Sequence, residues 1–557
     1  MGIETEYSIR GRSESPAKTP FNFDRFSHEL ERRTPIASSF RNPYRAFLAN
    51  GGCFSLEFGF SADLNNVLLE LATPECKSPR ELISYQIALE ELLSDTIRKT
   101  LPDQEIHLLR GTADAHGHTY GQHESYEMQI AKGWWLVGWR TGLLLMLPLV
   151  IGYRFLAAVW IFCIWLLGRA TIQVASLRSR WNRYRRMHSA PGGHPTTMSQ
   201  KKHLWSLHPR WLGMCAGGLR VLHWPLAYAL WGLIYCFALV SHRRHLSAFF
   251  ASRCIIDGAG YLDSENRYWV SVRSAMVNSV IGFGSYGKER PIFRCDSWLR
   301  GLCIGPLWSV GNYFSLFRER QRVEIAIGDS GMCEQSQYVR FGATALVLDL
   351  VEKSSPQLPR LNSVVESIGR FAKDWKLVAS VRERAARGAL ERRWTALDIQ
   401  HSYATAVRHF LQSKSNIPIE AWKILDQWQT TLNQLLPTDN ESNLPKNMLG
   451  RIDWLSKLWL LHQMKTEVSW EVRKKIDLRY HEISNEGYHR RLLGMLGLPL
   501  ILNANEIARA HRSPPLNSPA TRRGYIIREF SQPECKLRVD WTHAEFFVEG
   551  EKRSVRF

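Results

Sequence analysis

The 557 residues suffice for two or more domains with sizeable cores, and the ten cysteines, which form no CxxC pair, exclude a disulfide framework. A formal net charge of +20 would normally favour nucleic acid as a partner, but residues 129–240 hold thirteen Lys and Arg residues and no Asp or Glu. The basic excess therefore belongs mainly to one segment, and we expect no nucleic-acid partner.

The first seven residues, MGIETEY, predict a strand with two acidic side chains on one face. Alternate residues of a strand share a face, so Glu4 and Glu6 would lie about 7 Å apart. Two neighbouring carboxylates repel each other unless a cation or proton intervenes, and such a pair suits Mg²⁺ and a bound phosphate. The alternative is a solvated edge strand. Because the acidic strand leaves no room for a signal peptide, we expect a cytoplasmic N-terminus.

Residues 50–76 predict a turn followed by two strands that carry further carboxylates. The run NGG at 50–52 is typical of a turn, and Glu57 and Glu70 lie on the strand-like runs that follow. Apolar residues at helical spacing predict a helix over 79–99.

The polar stretch 114–127 contains His116, His118, His123 and Glu124, which could converge on a zinc ion. These residues satisfy no strong spacing rule, and histidines in polar loops usually bind no metal. A loop without a metal is therefore the competing interpretation.

Residues 129–241 differ sharply in composition from the rest. Two apolar runs, 141–168 and 221–240, are each long enough to cross a bilayer, tryptophans lie near their ends, and a basic loop joins them. Two full crossings would set the basic loop and the body on opposite sides, so an interfacial or re-entrant hairpin on the cytoplasmic membrane is favoured. The alternative is a hairpin buried inside a soluble fold.

The remaining chain has globular texture. The sequence GFGSYG at 282–287 lacks the helix and acidic residue of a dinucleotide site and predicts a hairpin loop. A buried strand is predicted over 323–329 and an amphipathic helix over 335–352, followed by a largely helical region at 360–475. The last seventy residues or so predict a small separate unit.

A series of short motifs runs in order through the chain on both sides of residues 129–241: MGIETEY (1–7), NGGCFSLEFG (50–59), ELATPEC (70–76), DAHGHTYGQHESY (114–126), IGDSGMCE (327–334), GATALVLDLVE (342–352), ALDIQ (396–400), IDWLSK (452–457), DLRYHEI (477–483), TRRG (521–524) and VDW (539–541). Together they resemble the Pup ligase and depupylase family, of the proteasome accessory factor A type, within the glutamine-synthetase-like carboxylate-amine ligases.

The resemblance implies an α+β fold, with a glutamine-synthetase-like curved antiparallel sheet and helices on its convex face. Residues 1–128 and 242–487 would form the catalytic domain, and 129–241 an inserted hydrophobic helical hairpin. Residues 488–557 would form a small C-terminal domain that contributes to the nucleotide site.

The resemblance also implies ATP and Mg²⁺ as cofactors. A ligase of this family phosphorylates the side-chain carboxylate of the C-terminal Glu of a small disordered Pup-like modifier. A lysine amine of an acceptor protein then displaces the phosphate and forms an isopeptide bond. Such phosphoryl transfer relies on positioning and charge neutralisation, and the amine must lose a proton to a base.

The residues at matching motif positions divide by their implied role. Glu57 falls where the family has its catalytic base. The implied metal ligands are Glu4, Glu70, Glu6, His123 and Glu124. The implied nucleotide and phosphate contacts are Thr73, Trp541, Arg273 and Arg322.

Several positions depart from the family pattern. Glu57 replaces an aspartate, Cys53 stands where the family has an ATP-contacting arginine, and Ser55 replaces a metal-contacting tyrosine. Losing an arginine removes a charge and a bidentate donor, a loss for which Arg294 or Arg273 could compensate. The short interval before the strand at 53–58 favours a ligase, while the open alternatives are a depupylase or deamidase and an inactive, membrane-tethered binding homologue.

Overall fold

The computed structural model describes residues 1–12, 21–40, 42–58, 67–101, 105–187, 209–284, 289–303, 311–384, 391–438, 443–464 and 468–557, with a few residues at the ends of these ranges described by their backbone alone. Two features named above fall partly outside them: residues 188–208 of the basic loop that joins the two apolar runs, and residues 285–287 of the predicted hairpin loop.

The secondary structure of the described residues is mixed. The strands are β1 (Gly2–Arg12), β2 (Ile36–Ser39), β3 (Arg45–Leu48), β4 (Cys53–Phe58), β5 (Val67–Ala72), β6 (Glu105–Leu109), β7 (Gln122–Gln129), β8 (Tyr261–Leu262), β9 (Tyr268–Trp269), β10 (Ser279–Gly282), β11 (Pro291–Arg294), β12 (Arg320–Gly328), β13 (Ser380–Arg382), β14 (Arg393–Thr395), β15 (Arg538–Val539), β16 (His543–Val548) and β17 (Glu551–Arg556). The helices are α1 (Phe23–Glu31), α2 (Pro79–Thr100), α3 (Gly133–Met187), α4 (Pro209–Phe237), α5 (Val240–Ser252), α6 (Cys254–Asp257), α7 (Val272–Ala275), α8 (Asp296–Cys303), α9 (Gly311–Ser315), α10 (Glu334–Lys353), α11 (Val364–Phe371), α12 (Ala396–Gln412), α13 (Ile419–Gln434), α14 (Asp453–His462), α15 (Trp470–Arg479), α16 (Tyr488–Leu496), α17 (Ala504–Arg512) and α18 (Pro519–Phe530).

One large sheet organises the chain. Its strand order among the described residues is β10-β11-β12-β7-β1-β5-β4-β3-β2-β15-β16-β17, with β6 also paired to β1. The central pairings β7-β1-β5-β4-β3-β2 are antiparallel, but β10 with β11 and β15 with β2 run parallel. The antiparallel sheet expected from the sequence is therefore a mixed sheet.

One face of this sheet carries the apolar core. In β1, Ile3, Thr5 and Tyr7 are buried, as the alternation of strand residues requires. Tyr7 packs with Leu71 of β5 and with Leu89 of α2 in one cluster that also includes α1. Helices α1 and α2 thus cover one face, which leaves Glu4 and Glu6 on the other.

The C-terminal strands complete the large sheet. Strand β15 pairs with β2, and Val539 and Phe546 share a buried cluster with Phe47, Cys53 and Ala72 of β3, β4 and β5. This arrangement differs from the separate C-terminal domain expected for 488–557. The physical reason is that these short strands bury their apolar side chains against the central sheet, together with Ile526 and Ile527 of α18.

The chain forms two compact units. The first, which we call the sheet unit, comprises Met1–Gln129, Ser241–Cys295 and Arg322–Phe557. The second unit comprises Ile130–Val240 and Asp296–Gln321. The second unit corresponds to the expected insertion with 296–321 added, a segment that the sequence assigned to the catalytic domain. Residues 296–321 belong there because the Trp139 indole N–H donates to the Leu316 carbonyl at 2.8 Å and its ring lies 5.5 Å from that of Trp298.

Helices α3 and α4 of the second unit form an antiparallel pair. Gly138 and Gly142 of α3 face Phe237 and Leu233 of α4 so closely that any side chain at either glycine would clash. Farther along, the hydroxyl of Tyr153 lies 2.7 Å from Nε2 of His223. The helical hairpin expected from the two apolar runs is therefore present.

Candidate functional site

Four polar residues form a row across four adjacent strands. Arg45 of β3 lies opposite Ser55 of β4, Ser55 opposite Glu70 of β5, and Glu70 opposite Glu6 of β1. Directly opposed residues of neighbouring strands project from the same face of a sheet. We call this side of the sheet, which carries Glu4, Glu6 and Glu70, the carboxylate face.

A second row lies two residues along the same strands. It passes through Phe47, Cys53, Ala72, Glu4 and His123, in the order β3, β4, β5, β1 and β7. The carboxylate face is therefore apolar at the β3–β4 side of this row and charged at the β1–β7 side.

Glu4 is an ionised carboxylate in contact with both a cation and a second carboxylate. Burial opposes its ionisation, but the charge of Arg322 and the hydrogen bonds that Glu4 accepts from Arg322 and from Glu70 hold the pKa of Glu4 at about 2. The Arg322 guanidinium donates to Glu4 Oε1 at 2.7 Å and to the Ser125 hydroxyl at 2.9 Å. Glu70 in turn accepts from the Ser55 hydroxyl at 2.9 Å.

His123 is a buried imidazole at the charged side of the face. Its Nδ1 lies 3.1 Å from Oε1 of Glu324 without the alignment of a hydrogen bond, and Arg294 donates to the same oxygen at 3.0 Å. Burial first, and then the charges of Arg273 and Arg294, lower the pKa of His123 well below its ordinary value. The imidazole is therefore neutral and keeps a lone pair for a ligand.

Glu6 and Arg273 meet at Gly121. The Gly121 N–H donates to Glu6 Oε2 at 2.9 Å, and a Cβ at this glycine would lie 2.6 Å from Nε of Arg273. The Arg273 backbone N–H donates to Asp329, whose pKa burial raises to about 6. Arg273 is thus held beside the carboxylate face.

Two sequence-assigned residues lie near Glu70, Glu57 on the neighbouring strand β4 and Thr73 directly after β5. The backbone of Glu57 in β4 pairs opposite Leu68 of β5, while its side chain lies outside the part of the chain that the structure describes. Thr73 is buried, and its hydroxyl accepts from the Ile3 N–H at 3.0 Å. That hydroxyl ties β5 to β1.

Trp541 lies at the apolar side of the face. Its ring centroid is 5.1 Å from that of Phe47, and the guanidinium of Arg523 lies 4.7 Å above it. Arg523 is buried and donates to both carboxylate oxygens of Glu75, at 3.0 and 2.8 Å, and to the Gly51 carbonyl at 2.9 Å. The TRRG motif therefore joins α18 to the chain on either side of β4 and β5.

Glu124 is not brought together with the other candidates. Consecutive strand residues face opposite sides, and His123 occupies the carboxylate face. Glu124 is buried and accepts from Arg253 at 2.6 Å, from Arg340 at 2.7 Å and from the Tyr126 hydroxyl at 2.7 Å. The structure thus places Glu124 in an ion-pair cluster on the helical side of the sheet.

The alternative zinc cluster at 114–127 does not form either. His118 bonds with Asp114 at 2.9 Å, whereas His123 lies in β7 beside Glu4. Among the described residues, the acidic, His and Cys groups close enough to share one metal are Cys333, Asp453 and His489 instead.

Glu324 is a site residue that sequence reasoning did not identify. Glu324 follows Arg322 by two positions in β12, the same alternation that marked Glu4 and Glu6. That spacing was the available signal for Glu324. Arg294, which the sequence offered as a substitute for the arginine missing at position 53, lies opposite Glu324 on β11.

Fold and site define a mixed α/β chain built on one large sheet with a carboxylate-lined face. Two solved structures share the fold: the complex between the prokaryotic ubiquitin-like protein Pup and its ligase PafA, and PafA in complex with ADP. The first has a TM-score of 0.62 at 17% identity, covering 100% of this chain and 88% of that chain. The second has a TM-score of 0.58 at 16% identity, covering 98% and 92%.

Residues 1–545 match the sequence profile of the family described as Pup-ligase protein, and the chain belongs to that family. A Pup–protein ligase of Acidimicrobium ferrooxidans is 30% identical over 307 residues, which cover 54% of this chain and 62% of the relative. A depupylase of Acidothermus cellulolyticus is 26% identical over 300 residues, covering 52% and 54%. The chain thus spans about half to three fifths of the length of these relatives.

Proposed function

We propose that this protein is an ATP- and Mg²⁺-dependent ligase that joins the C-terminal glutamate of a Pup-like modifier to lysine side chains of acceptor proteins. The observation that carries the proposal is the carboxylate face, where Glu4, Glu6 and Glu70 converge with Arg322 beside them. Membership of the Pup-ligase family supports it, as do the ligases among its relatives.

The donor set fits Mg²⁺. Glu4 and Glu70 are in hydrogen-bond contact, and two carboxylates so close favour a hard cation between them. Glu4 and Glu70 would hold the metal, with Glu6 and His123 beside them. When bound, ATP supplies the phosphoryl group and Mg²⁺ neutralises part of its charge.

The other residues of the face would bind and orient the reactants. Arg322 and Arg273 supply positive charge for phosphate oxygens, and Trp541 offers an aromatic surface to the nucleotide from the C-terminal strands. The segment around Thr73 contacts the nucleotide through its backbone, because the hydroxyl is bonded to Ile3. Glu57 takes the proton from the attacking lysine amine.

A gel assay tests this function. The full chain, ATP, Mg²⁺ and a Pup-like modifier ending in Glu are incubated with a lysine-bearing acceptor. We expect an ATP-dependent shift of the acceptor by the mass of the modifier. Glu57→Ala should abolish the shift, whereas Glu57→Asp, which keeps a carboxylate base, should retain it.

Other outcomes would assign a different function. Cleavage of a preformed conjugate without ligation would identify a depupylase, a possibility raised by the Acidothermus relative. Nucleotide binding without either reaction would identify a binding homologue. No ATP binding at all would refute the proposed site.

We propose further that the second unit anchors the protein to the cytoplasmic membrane. Residues Gly133–Ala170 of α3 are long and apolar enough to cross a bilayer, and this stretch is mostly exposed. Adjacent positions of the helix are exposed together, so the apolar surface surrounds it instead of forming one stripe, and this favours insertion over surface binding. The exposed apolar side chains of α3 and α4 include Trp134, Leu144, Leu145, Phe155, Leu156, Ile161, Phe162, Leu166, Leu167, Val221, Trp224 and Tyr228.

Flotation with vesicles of phosphatidylcholine and phosphatidylglycerol tests the anchor. Wild type should float with the vesicles and resist extraction by alkaline carbonate, because inserted helices are held by apolar contacts. Replacing Leu145, Phe155 and Phe162 by Lys should abolish flotation. Three equally exposed apolar residues of the sheet unit, Val378, Ile419 and Leu516, serve as the control for lysine substitution. Wild type that stays at the bottom of the gradient would refute the anchor.

A further inference from the structure

Arg45 is a charged residue of the carboxylate face that has no role in the proposal above. It begins β3, lies opposite Ser55 and shares a row with Glu70. Its side chain is 31% exposed, so one side of the guanidinium reaches solvent. Its Nη2 lies 3.8 Å from Oε2 of Glu70.

The contacts of Arg45 differ from those of Arg322 and Arg294, two other arginines of this face. Arg322 and Arg294 donate to carboxylates at 2.7 and 3.0 Å, whereas the distance from Arg45 to Glu70 exceeds that of a hydrogen bond. The Nε atom of Arg45 is buried and has no hydrogen-bond partner in the described part of the chain. A buried donor without an acceptor is costly, and an anionic ligand would relieve that cost.

The neighbouring strand explains why a cation is needed here. Cys53 of β4 lies on the same face, one row away from Arg45 and beside Ala72 and Glu4. Burial raises the pKa of the Cys53 thiol to about 12, so this position contributes no charge to a ligand. The family resemblance had placed an ATP-contacting arginine at position 53.

We infer that Arg45 binds a phosphate group of the nucleotide, reaching it from the strand next to the one that carries Cys53. The inference rests on the proposed function. A guanidinium presents two parallel N–H donors to a phosphate, which a lysine ammonium cannot do. Arg45 thus supplies from β3 the charge that position 53 lacks.

Calorimetric titration of the full chain with ATP and with adenosine, both in Mg²⁺, tests this role. Arg45→Gln should weaken ATP binding by about tenfold to a hundredfold, since it removes charge-assisted hydrogen bonds to phosphate, and should leave adenosine binding unchanged. The affinity of Arg45→Lys for ATP should lie between that of wild type and that of Arg45→Gln. Arg25→Gln, at an exposed arginine of α1, is the matched control and should bind both ligands as wild type does.

The outcomes separate this inference from the proposed function. If wild type binds no ATP, the nucleotide site fails and Arg45 fails with it. If wild type binds ATP and Arg45→Gln binds it equally well, only the role of Arg45 is refuted. If Arg45→Gln loses adenosine and ATP to the same degree, the side chain supports the fold and the inference is likewise wrong.

Discussion

The ion pair of Glu4 and Arg322 makes stability depend on pH. The pKa of Glu4 is about 2 in the folded chain against an ordinary value of 4.5. A carboxylate with a lowered pKa contributes stability that is fully present above the ordinary value and is lost as pH falls through the folded value. In metal-free buffer, Arg322→Gln should lower the free energy of unfolding by about 1 kcal/mol above about pH 5, because solvent screens the half-exposed guanidinium.

This destabilisation should shrink as the pH drops from about 4.5 towards 2, because the unfolded chain then takes up a proton at Glu4 that the folded wild type does not. Below the folded value Glu4 is protonated in wild type and variant alike, and the difference should be gone. Denaturant titrations of wild type and variant at several pH values measure it. Arg25→Gln provides the control, as its side chain is exposed on α1. A difference between wild type and Arg322→Gln that did not change with pH would contradict the assignment.

Glu124 offers a second test at the level of a single residue. It is the carboxylate that compensates the buried guanidinium groups of Arg253 and Arg340. Glu124→Gln should destabilise the chain by about 3–5 kcal/mol, because it removes the charged partner of a buried pair. Thermal unfolding should show the loss equally with and without Mg²⁺.

Glu127→Gln is the matched control, since Glu127 is exposed on the same strand. It should change the free energy of unfolding by no more than an ordinary surface substitution does, about 0.5 kcal/mol. If the destabilisation by Glu124→Gln grew at saturating Mg²⁺ instead, Glu124 would be a metal ligand, because wild type would then gain stability from a bound ion that the variant cannot hold.

Residue spacing predicts part of this site and misses the rest for a physical reason. The alternation of strand residues places Glu4 and Glu6 on one face, and the Arg322 guanidinium donates to Glu4. The polar stretch 114–127 predicts a loop, in which His123 and Glu124 could bind one metal. In strand β7 the side chains of these consecutive residues instead point to opposite faces of the sheet. Arg45 has no local signal, since its place depends on the pairing of β3 with β4 and of β4 with β5.

At the level of elements, the packing of α3 on α4 depends on small residues. A side chain at Gly142 would overlap Leu233 of the facing helix, whereas a side chain at Gly152 would meet no atom within 4 Å among the described residues. Gly142→Val should therefore separate the helices. We expect faster proteolytic cleavage within the hairpin of the detergent-solubilised chain.

Gly152→Val serves as the control because it inserts the same side chain into the same helix at an open position. It should leave the cleavage rate near that of wild type. Equal cleavage of both variants would show that helix propensity, and not the contact with α4, sets the stability of the hairpin.

Apolar run length predicted the hairpin but not all of its partners. Composition marks residues 141–168 and 221–240 as helical, and the structure extends α3 over 55 residues. Residues 296–321 carry no comparable signal. Their association depends on side chains such as Trp298 and on the carbonyl of Leu316, which only the folded unit brings to Trp139.

At the level of the whole molecule, the C-terminal segment is part of the sheet unit and not a separable domain. Ending the chain at Ser531 would remove β15–β17 and uncover the apolar cluster around Phe47, Ile527 and Ala72. We expect this truncated chain to unfold at a much lower temperature or to aggregate, because an apolar cluster and a strand edge are exposed. Circular dichroism and light scattering measure the two outcomes.

A shorter truncation that ends at Glu549 removes only the edge strand β17 and is the control. It should keep most of the unfolding temperature, since five of the six residues of β17 are exposed. A stable, soluble chain ending at Ser531 would instead show that the sheet does not need β15–β17 for its stability.

The sequence motifs predicted the central strands of the sheet better than they predicted which distant segments join it. Alternation and turn residues locate β1, β4 and β5, and the helical repeat locates α2 and α10. The parallel pairing of β15 with β2 joins residues about five hundred positions apart. No local pattern encodes so distant a contact, which is why the C-terminal strands read as an independent unit.

The N–H of Leu239 donates to the carbonyl of Ile130 at 2.7 Å, so the chain enters and leaves the helical hairpin at almost the same point. A peptide of very few residues could join these two positions. The cost of closing the chain there grows only slowly with the length of the inserted segment. Insertion or deletion of the whole hairpin is therefore a change that the rest of the chain could accommodate.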